Sequence, residues 1–204
     1  MNIKRPKILI VDNYDSFTYN LVQIIQEHGG CKFDVMKNNA VNIAYAVMYD
    51  GFLFSPGPGI PKESPLMTEL LRVYYSKKSF LGICLGHQAI SETFGMELLK
   101  LNNVRHGLKT IIKIIDSSDY IFEGVPSEFT AGLYHSWAVG AERKLLESVS
   151  DLRVTALSND GIIMAVAHIK YNIRGVQFHP ESYLTEYGPK IIHNWINHLS
   201  CWKR

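Results

Sequence analysis

In the first half of the chain the apolar residues come in short unbroken runs rather than in strict alternation. Ile8-Leu9-Ile10-Val11 is continuously apolar and rich in branched side chains, the pattern of a central parallel strand covered on both faces. The polar stretch from Asp12 to Phe17 opens a helix over about Thr18 to His28, which Gly29-Gly30 ends. A second strand is predicted from Cys31 to Met36. A third, Gly51-Phe52-Leu53-Phe54, is broken abruptly by Ser55-Pro56-Gly57-Pro58-Gly59-Ile60-Pro61. Ser64 predicts a helix N-cap with Pro65 at the first helical position, and Leu66, Leu70, Leu71 and Tyr74 follow at helical spacing. Ser79 to Ile83 is a fourth strand, leading into a helix that begins near His87 and runs to about Phe94. Strands alternating with helices imply right-handed crossovers and a doubly wound sheet.

The second half has a different pattern. Lys109 to Ile115 alternates polar and apolar, and Phe129 to Val139 is mixed. Val154 to Leu157 faces Ile162 to Val166 across Asn159-Asp160-Gly161, a hairpin signal. Ile173 to Phe178 is a further strand, and Tyr187 to Cys201 reads as a closing amphipathic helix with Ile191, Ile192, Trp195, Ile196 and Leu199 on its apolar side. The predicted fold is α/β, with a doubly wound, mostly parallel central sheet of flavodoxin-like type and an antiparallel extension in the second half. No linker or repeat interrupts the sequence, so one domain is expected over residues 1–204.

Composition narrows the function classes. With 47% hydrophobic residues and a formal net charge of +2, the chain can bury a core and carries no block of charge that would advertise nucleic acid or an anionic membrane. The apolar run at 8–11 is too short for an export or membrane segment, and Asp12 ends it. Cys31, Cys84 and Cys201 are odd in number and widely separated, which argues against a disulfide framework and for a reducing, cytoplasmic setting.

One of these cysteines stands in a telling context. Gly82-Ile83-Cys84-Leu85-Gly86 is the G-x-nucleophile-x-G pattern of a strand-to-helix elbow, with cysteine in place of serine. Small flanking residues let the chain pass closely there, and the helix N-terminus favours thiolate over thiol. The alternative is a buried structural cysteine. A thiol nucleophile needs a base, and His179 ends an apolar strand, where catalytic groups collect in open α/β sheets. Glu181 sits two residues on, across Pro180, and can orient the imidazole. Cys84-x-x-His87 and His179-x-Glu181 also contain possible metal ligands, but neither spacing makes a recognisable zinc set, and no metal site is expected. The glycines of Ser55 to Gly59 allow close backbone approach, so Gly57 and the N–H of Leu85 can form an oxyanion hole. The competing reading is a mere tight turn.

Five motifs together carry a family resemblance: Asp12-Asn-Tyr-Asp-Ser-Phe-Thr18, Ser55-Pro-Gly-Pro-Gly-Ile-Pro61, Gly82-Ile-Cys-Leu-Gly-His-Gln88, Tyr134-His-Ser136 and Gln177-Phe-His-Pro-Glu-Ser182. In this order they resemble the class I glutamine amidotransferases, from about Ile8 to Trp195. The Ser-Pro-Gly-Pro-Gly form is most similar to the chorismate branch, the glutaminase subunits of anthranilate synthase (component II) and of aminodeoxychorismate synthase. The resemblance implies that Cys84 attacks the side-chain amide of L-glutamine, that His179 shuttles the proton and that Glu181 orients His179. It further implies that Gly57, Pro58, Gly59 and Leu85 hold the oxyanion, and that Gln88 with the Ser136-Trp137 backbone binds the amino-acid end of glutamine. Ammonia would then pass to a separate chorismate-binding large subunit, component I of anthranilate synthase or of aminodeoxychorismate synthase. No cofactor is implied for this chain, and any metal ion would belong to the synthase partner.

Two positions depart from that pattern. Leu108 follows His106-Gly107 where related chains usually carry lysine, and Trp137 stands where leucine is common. His106 and His135 are read as loop or interface histidines. Two other readings of the chain exist: a stand-alone cysteine hydrolase, disfavoured because the acid follows the histidine at once, and a degenerate scaffold, disfavoured by the intact Cys84, His179 and Glu181.

Overall fold

The computed structural model describes residues 5–140 and 151–199. Ser200 and Cys201, the last two residues of the predicted closing helix, lie outside them. Among the described residues one continuous sheet contains β1 (Lys7–Asp12), β2 (Lys32–Lys37), β3 (Gly51–Phe54), β4 (Ser79–Ile83), β5 (Leu98–Ile114), β6 (Glu128–Val139), β7 (Leu152–Ser158), β8 (Ile163–His168) and β9 (Ile173–Val176). The spatial order is β2-β1-β3-β4-β9-β8-β7-β5-β6. The β2-β1-β3-β4-β9 part is parallel throughout and has the flavodoxin-like order. Every pairing from β9 through β8, β7 and β5 to β6 is antiparallel. The fold class read from the sequence is therefore the one observed, with an antiparallel part as extensive as the parallel part.

Alternation within the apolar runs explains why they are unbroken. Ile8 and Ile10 of β1 face one core, shared with Leu53, Leu81 and Ile83, while Leu9 and Val11 face another, shared with Phe52, Phe54 and Phe80. Helices α1 (Thr18–His28) and α4 (Gly188–Leu199) cover the first core, and α2 (Pro65–Tyr74) and α3 (Leu85–Thr93) cover the second. Helix α1 stops where Gly29 takes φ +66° and donates its N–H to the Ile25 carbonyl. Five apolar residues of α4, Ile191, Ile192, Trp195, Ile196 and Leu199, are buried as its periodicity requires. No helix among the described residues is long and apolar enough to cross a membrane.

Local expectations changed in four places. Ser64 precedes α2 but makes no capping bond, because its hydroxyl accepts from Asn38 Nδ2 instead. Met67, rather than the half-buried Leu66, fills the first core position of that helix. Helix α3 begins at Leu85, directly after the elbow, two residues earlier than read. Strand β5 starts eleven residues before Lys109, because residues 98–108 form a largely exposed ribbon with β6 that has register shifts between Lys100 and Arg105 and at Gly107 and no one-sided apolar pattern.

Trp195 is wholly buried and anchors α4 against α1 and the sheet. Trp195→Ala should destabilise the protein by about 3–5 kcal/mol, read as a lower urea midpoint in equilibrium denaturation.

Candidate active site

The parallel pairing of β4 with β9 sets the geometry. Ile83 is opposite Val176, so the residues that follow, Cys84 on one strand and Gln177 to Glu181 on the other, leave the sheet side by side. The Cys84 N–H donates to the Val176 carbonyl at 2.8 Å and ties the elbow to its neighbour. Cys84 itself has φ +50°, a strained conformation for a side chain with a β-carbon. The glycines on either side make the turn possible. A methyl group on Gly82 would lie 2.4 Å from the Gly86 backbone, and one on Gly86 would lie 2.6 Å from Phe54 Cβ and 2.7 Å from the Phe54 carbonyl oxygen. Leu85 opens α3, so its N–H has no intrahelical acceptor.

The glycine-proline loop lies against this elbow. Gly57 packs so tightly on Asn13 and Leu85 that a β-carbon there would come within 2.6 Å of Asn13 and 2.9 Å of the Leu85 side chain. Asn13 clamps the loop from the β1 side: its N–H donates to Ser55 Oγ at 2.9 Å and its side-chain amide to the Ser55 carbonyl at 2.8 Å. Asp12 supports Asn13 by accepting from the Tyr14 N–H, from Thr18 Oγ1 and from Lys37 Nζ. The motif at residues 12–18 thus shapes the loop from behind.

His179 is buried between aromatic rings. Phe17 and Tyr134 lie edge-on or tilted around it, with the Tyr134 ring centroid 4.9 Å away. Its Nδ1 is 2.6 Å from Glu181 Oε1, and both residues are almost wholly buried. Burial works against the imidazolium, yet the Cys84 sulfur and the Glu181 carboxylate outweigh it and hold the ring's pKa well above 6.5. The segment carrying the pair is pinned along the outer side of β6. The His179 N–H donates to the Gly132 carbonyl, Thr185 Oγ1 accepts from the Gly132 N–H, and Glu186 exchanges two bonds with Thr130.

A cavity of about 120 Å³ opens onto Cys84, lined by Gly57, Pro58, Gly59, Gln88, Tyr134, His135, Ser136 and Trp137. Every residue that the sequence singles out for glutamine or oxyanion binding borders it, except Leu85, which lies beneath the loop. The Trp137 carbonyl is already occupied: Gln88 Nε2 donates to it at 2.9 Å and His135 Nδ1 at 2.8 Å. His135, read as a loop or interface histidine, is instead buried on β6 in the cavity wall, and burial pushes its pKa down to about 4. His106 is exposed on β5 with its ring against Tyr134. Gln177, Asn13 and Tyr134 stand within the motifs but receive no role from sequence, since no spacing shows that Gln177 approaches Cys84, that Asn13 holds Ser55 or that Tyr134 packs on His179. A larger cavity of about 550 Å³ lies by the turn leading into β9, at the other end of that strand, and no cysteine lines it.

Three comparisons bear on this arrangement. Residues 9–199 match the family described as glutamine amidotransferase class-I. The chain is 43% identical over 190 residues to a candidate anthranilate synthase component II of Haemophilus influenzae, covering 93% of this chain and 95% of that one. It is 40% identical over 195 residues to anthranilate synthase component 2 of Mycobacterium tuberculosis, covering 93% and 81%. Among solved structures, a candidate GMP synthase subunit from Thermoplasma acidophilum superposes with a TM-score of 0.84 at 26% identity, covering 97% of this chain and 96% of that one. With a cysteine elbow, a buried His-Glu pair and a match along nearly its whole length, the chain belongs to the class I glutamine amidotransferases.

Proposed function

We propose that this chain is the glutaminase subunit of an anthranilate synthase, working in the cytoplasm as one domain over residues 1–204. It hydrolyses L-glutamine and delivers ammonia to a chorismate-binding large subunit. The observation that carries the reading is that Cys84, on a small cavity, and the buried His179–Glu181 pair follow adjacent parallel strands, with the sulfur close enough to help raise the His179 pKa. The Cys84 sulfur attacks the side-chain carbonyl carbon of glutamine, and the negative charge that develops on oxygen is met by the backbone N–H groups of Gly57, Gly59 and Leu85, the loop being stiffened by Pro58, which has no N–H to give. His179, charged through its two partners, gives its proton to the departing nitrogen, so ammonia leaves and a glutamyl thioester remains. His179 then takes a proton from water, whose oxygen displaces the sulfur to give glutamate. These steps draw on groups this chain carries, and no cofactor enters them.

Gln88 and Ser136-Trp137 receive the amino-acid end of glutamine on this reading, with Gln88 Oε1 and Ser136 as acceptors, since the Trp137 carbonyl is engaged within the protein. Docking of the large subunit is supported by exposed apolar side chains on the segments that carry the site. Tyr183, two residues from Glu181, is 90% exposed, and Tyr14 and Leu108 are each about half exposed. The similarity to anthranilate synthase components favours the tryptophan branch. The same chemistry serving aminodeoxychorismate synthase is the second reading.

Mixing the chain with each candidate large subunit, chorismate and glutamine should give anthranilate with the first partner, and glutamate release should rise when that partner is present. Aminodeoxychorismate as the product would transfer the assignment to the folate branch, and no stimulation by either partner would overturn it. Cys84→Ser should lower glutamine hydrolysis by about 10³-fold or more while leaving ammonia-dependent synthesis by the complex intact. Since the raised His179 pKa rests partly on a carboxylate, Glu181→Gln should lower the pH at which the ring loses its proton. The imidazole nitrogen resonances in an NMR titration report that value directly.

A further inference from the structure

The side chain of Gln177 is wholly buried, and the steps above give it no part. Its Nε2 lies 3.5 Å from the Cys84 sulfur, and its Oε1 lies 3.1 Å from Gln88 Nε2. Which end of a glutamine amide is nitrogen follows from its partners. A backbone carbonyl can only accept, so the Gln88 atom 2.9 Å from the Trp137 oxygen is the amide nitrogen. That nitrogen has a second hydrogen, and the atom of Gln177 that meets it must be oxygen. The nitrogen of Gln177 is thereby turned toward sulfur. A single carbonyl on β6 fixes the direction of two side-chain amides and points a donor at the nucleophile.

Resting on the assignment of Cys84 as the nucleophile, we infer that Gln177 is a positioning residue for the reaction: its amide N–H holds the thiolate, at the end of a relay of two amides, Gln88 and Gln177, that the Trp137 carbonyl orients and that finishes at Cys84. An N–H aimed at sulfur stabilises the charged form of the nucleophile and fixes where the lone pair points. The other end of the relay, Gln88 Oε1, accepts no hydrogen bond from the described residues and belongs to a side chain bordering the cavity. A substrate ammonium donating there polarises both amides in the same sense and strengthens the bond to sulfur. Recognition of an amino acid and preparation of the thiol are thus two ends of one hydrogen-bonded chain.

The groups that can titrate around the sulfur are few. His179 and Glu181 follow β9, Tyr134 and His135 come from β6, and His87 comes from α3, where burial pushes its pKa down to about 3. Residues 55–61 contribute none.

Gln177→Met keeps the length of the side chain without the N–H, and Gln177→Asn keeps an amide but withdraws it by one methylene. The rate of Cys84 alkylation by iodoacetamide is measured against pH in the full-length chain and both variants, with Cys31 and Cys201 distinguished by peptide mass. The midpoint of the Cys84 profile should rise by about one pH unit in each variant, kcat for glutamine should fall about 10-fold, and KM should change less than about 3-fold. Should the methionine variant fail to fold, as judged by circular dichroism, the asparagine variant decides. Alkylation profiles that overlay the wild type overturn the inference whatever happens to turnover, because a residue that merely fills space would leave the thiol's ionisation unmoved. Alkylation needs no glutamine, so a wild-type Cys84 that reacts normally in a chain unable to hydrolyse glutamine counts against the proposed function and not against the relay.

Discussion

The structure depends on one tight turn. Cys84 is held at a positive φ by two neighbours that must both lack a side chain, and the turn is stitched to β9 through its own N–H. Strain at a single residue persists only where the surroundings over-determine it, and here Phe54 of β3, the Gly82–Gly86 contact and Val176 of β9 all converge on it. From that fixed point the rest of the site follows from strand adjacency. The glycine-proline loop leaves β3 on one side, the His-Glu segment leaves β9 on the other, and the first turn of α3 rises between them.

Burial separates the histidines of this region by what each finds as a partner. His87 lies wholly inside with no carboxylate beside it and stays neutral, filling the space that Gly175 leaves open. His135 has a backbone carbonyl, which fixes its tautomer but does not offset its burial. His179 is buried almost as deeply but has Glu181 on one nitrogen and is influenced by sulfur through the ring, and it alone of the three is pushed toward the charged form. The same residue type at similar depth is therefore held neutral or pushed toward its charged form according to its neighbours.

Much of this was legible in the residue order, because local rules and local geometry coincide in the first half. The unbroken apolar runs of β1, β3 and β4 read as parallel strands since each alternates between two buried cores, and the elbow read as an elbow since its glycines serve a contact within five residues. Adjacency of distant segments was not legible. Nothing in Gln177 indicates that β9 lies beside β4 rather than at an edge, so its approach to Cys84 could not be inferred from spacing. The carbonyl of Trp137 looked available for a ligand because its two internal donors come from positions 135 and 88 and meet only after β6 folds back toward α3. Residues 98–108 gave no strand signal because most of their side chains are exposed and the half-buried ones, Leu98, Leu101 and Arg105, do not alternate, which erases the pattern that marks a half-buried strand.

The segment after β9 has a second effect besides carrying the His-Glu pair. Among the described residues strand β6 is the last of the sheet, and an outermost strand leaves a row of N–H and C=O groups able to recruit a strand from another molecule. His179, Thr185 and Glu186 occupy those groups at Thr130 and Gly132. Molecules in which this segment detaches would lose the His179–Glu181 pair from beside Cys84 and expose a self-associating border in the same event, so on the proposed function selection for turnover and selection against aggregation act on the same few residues.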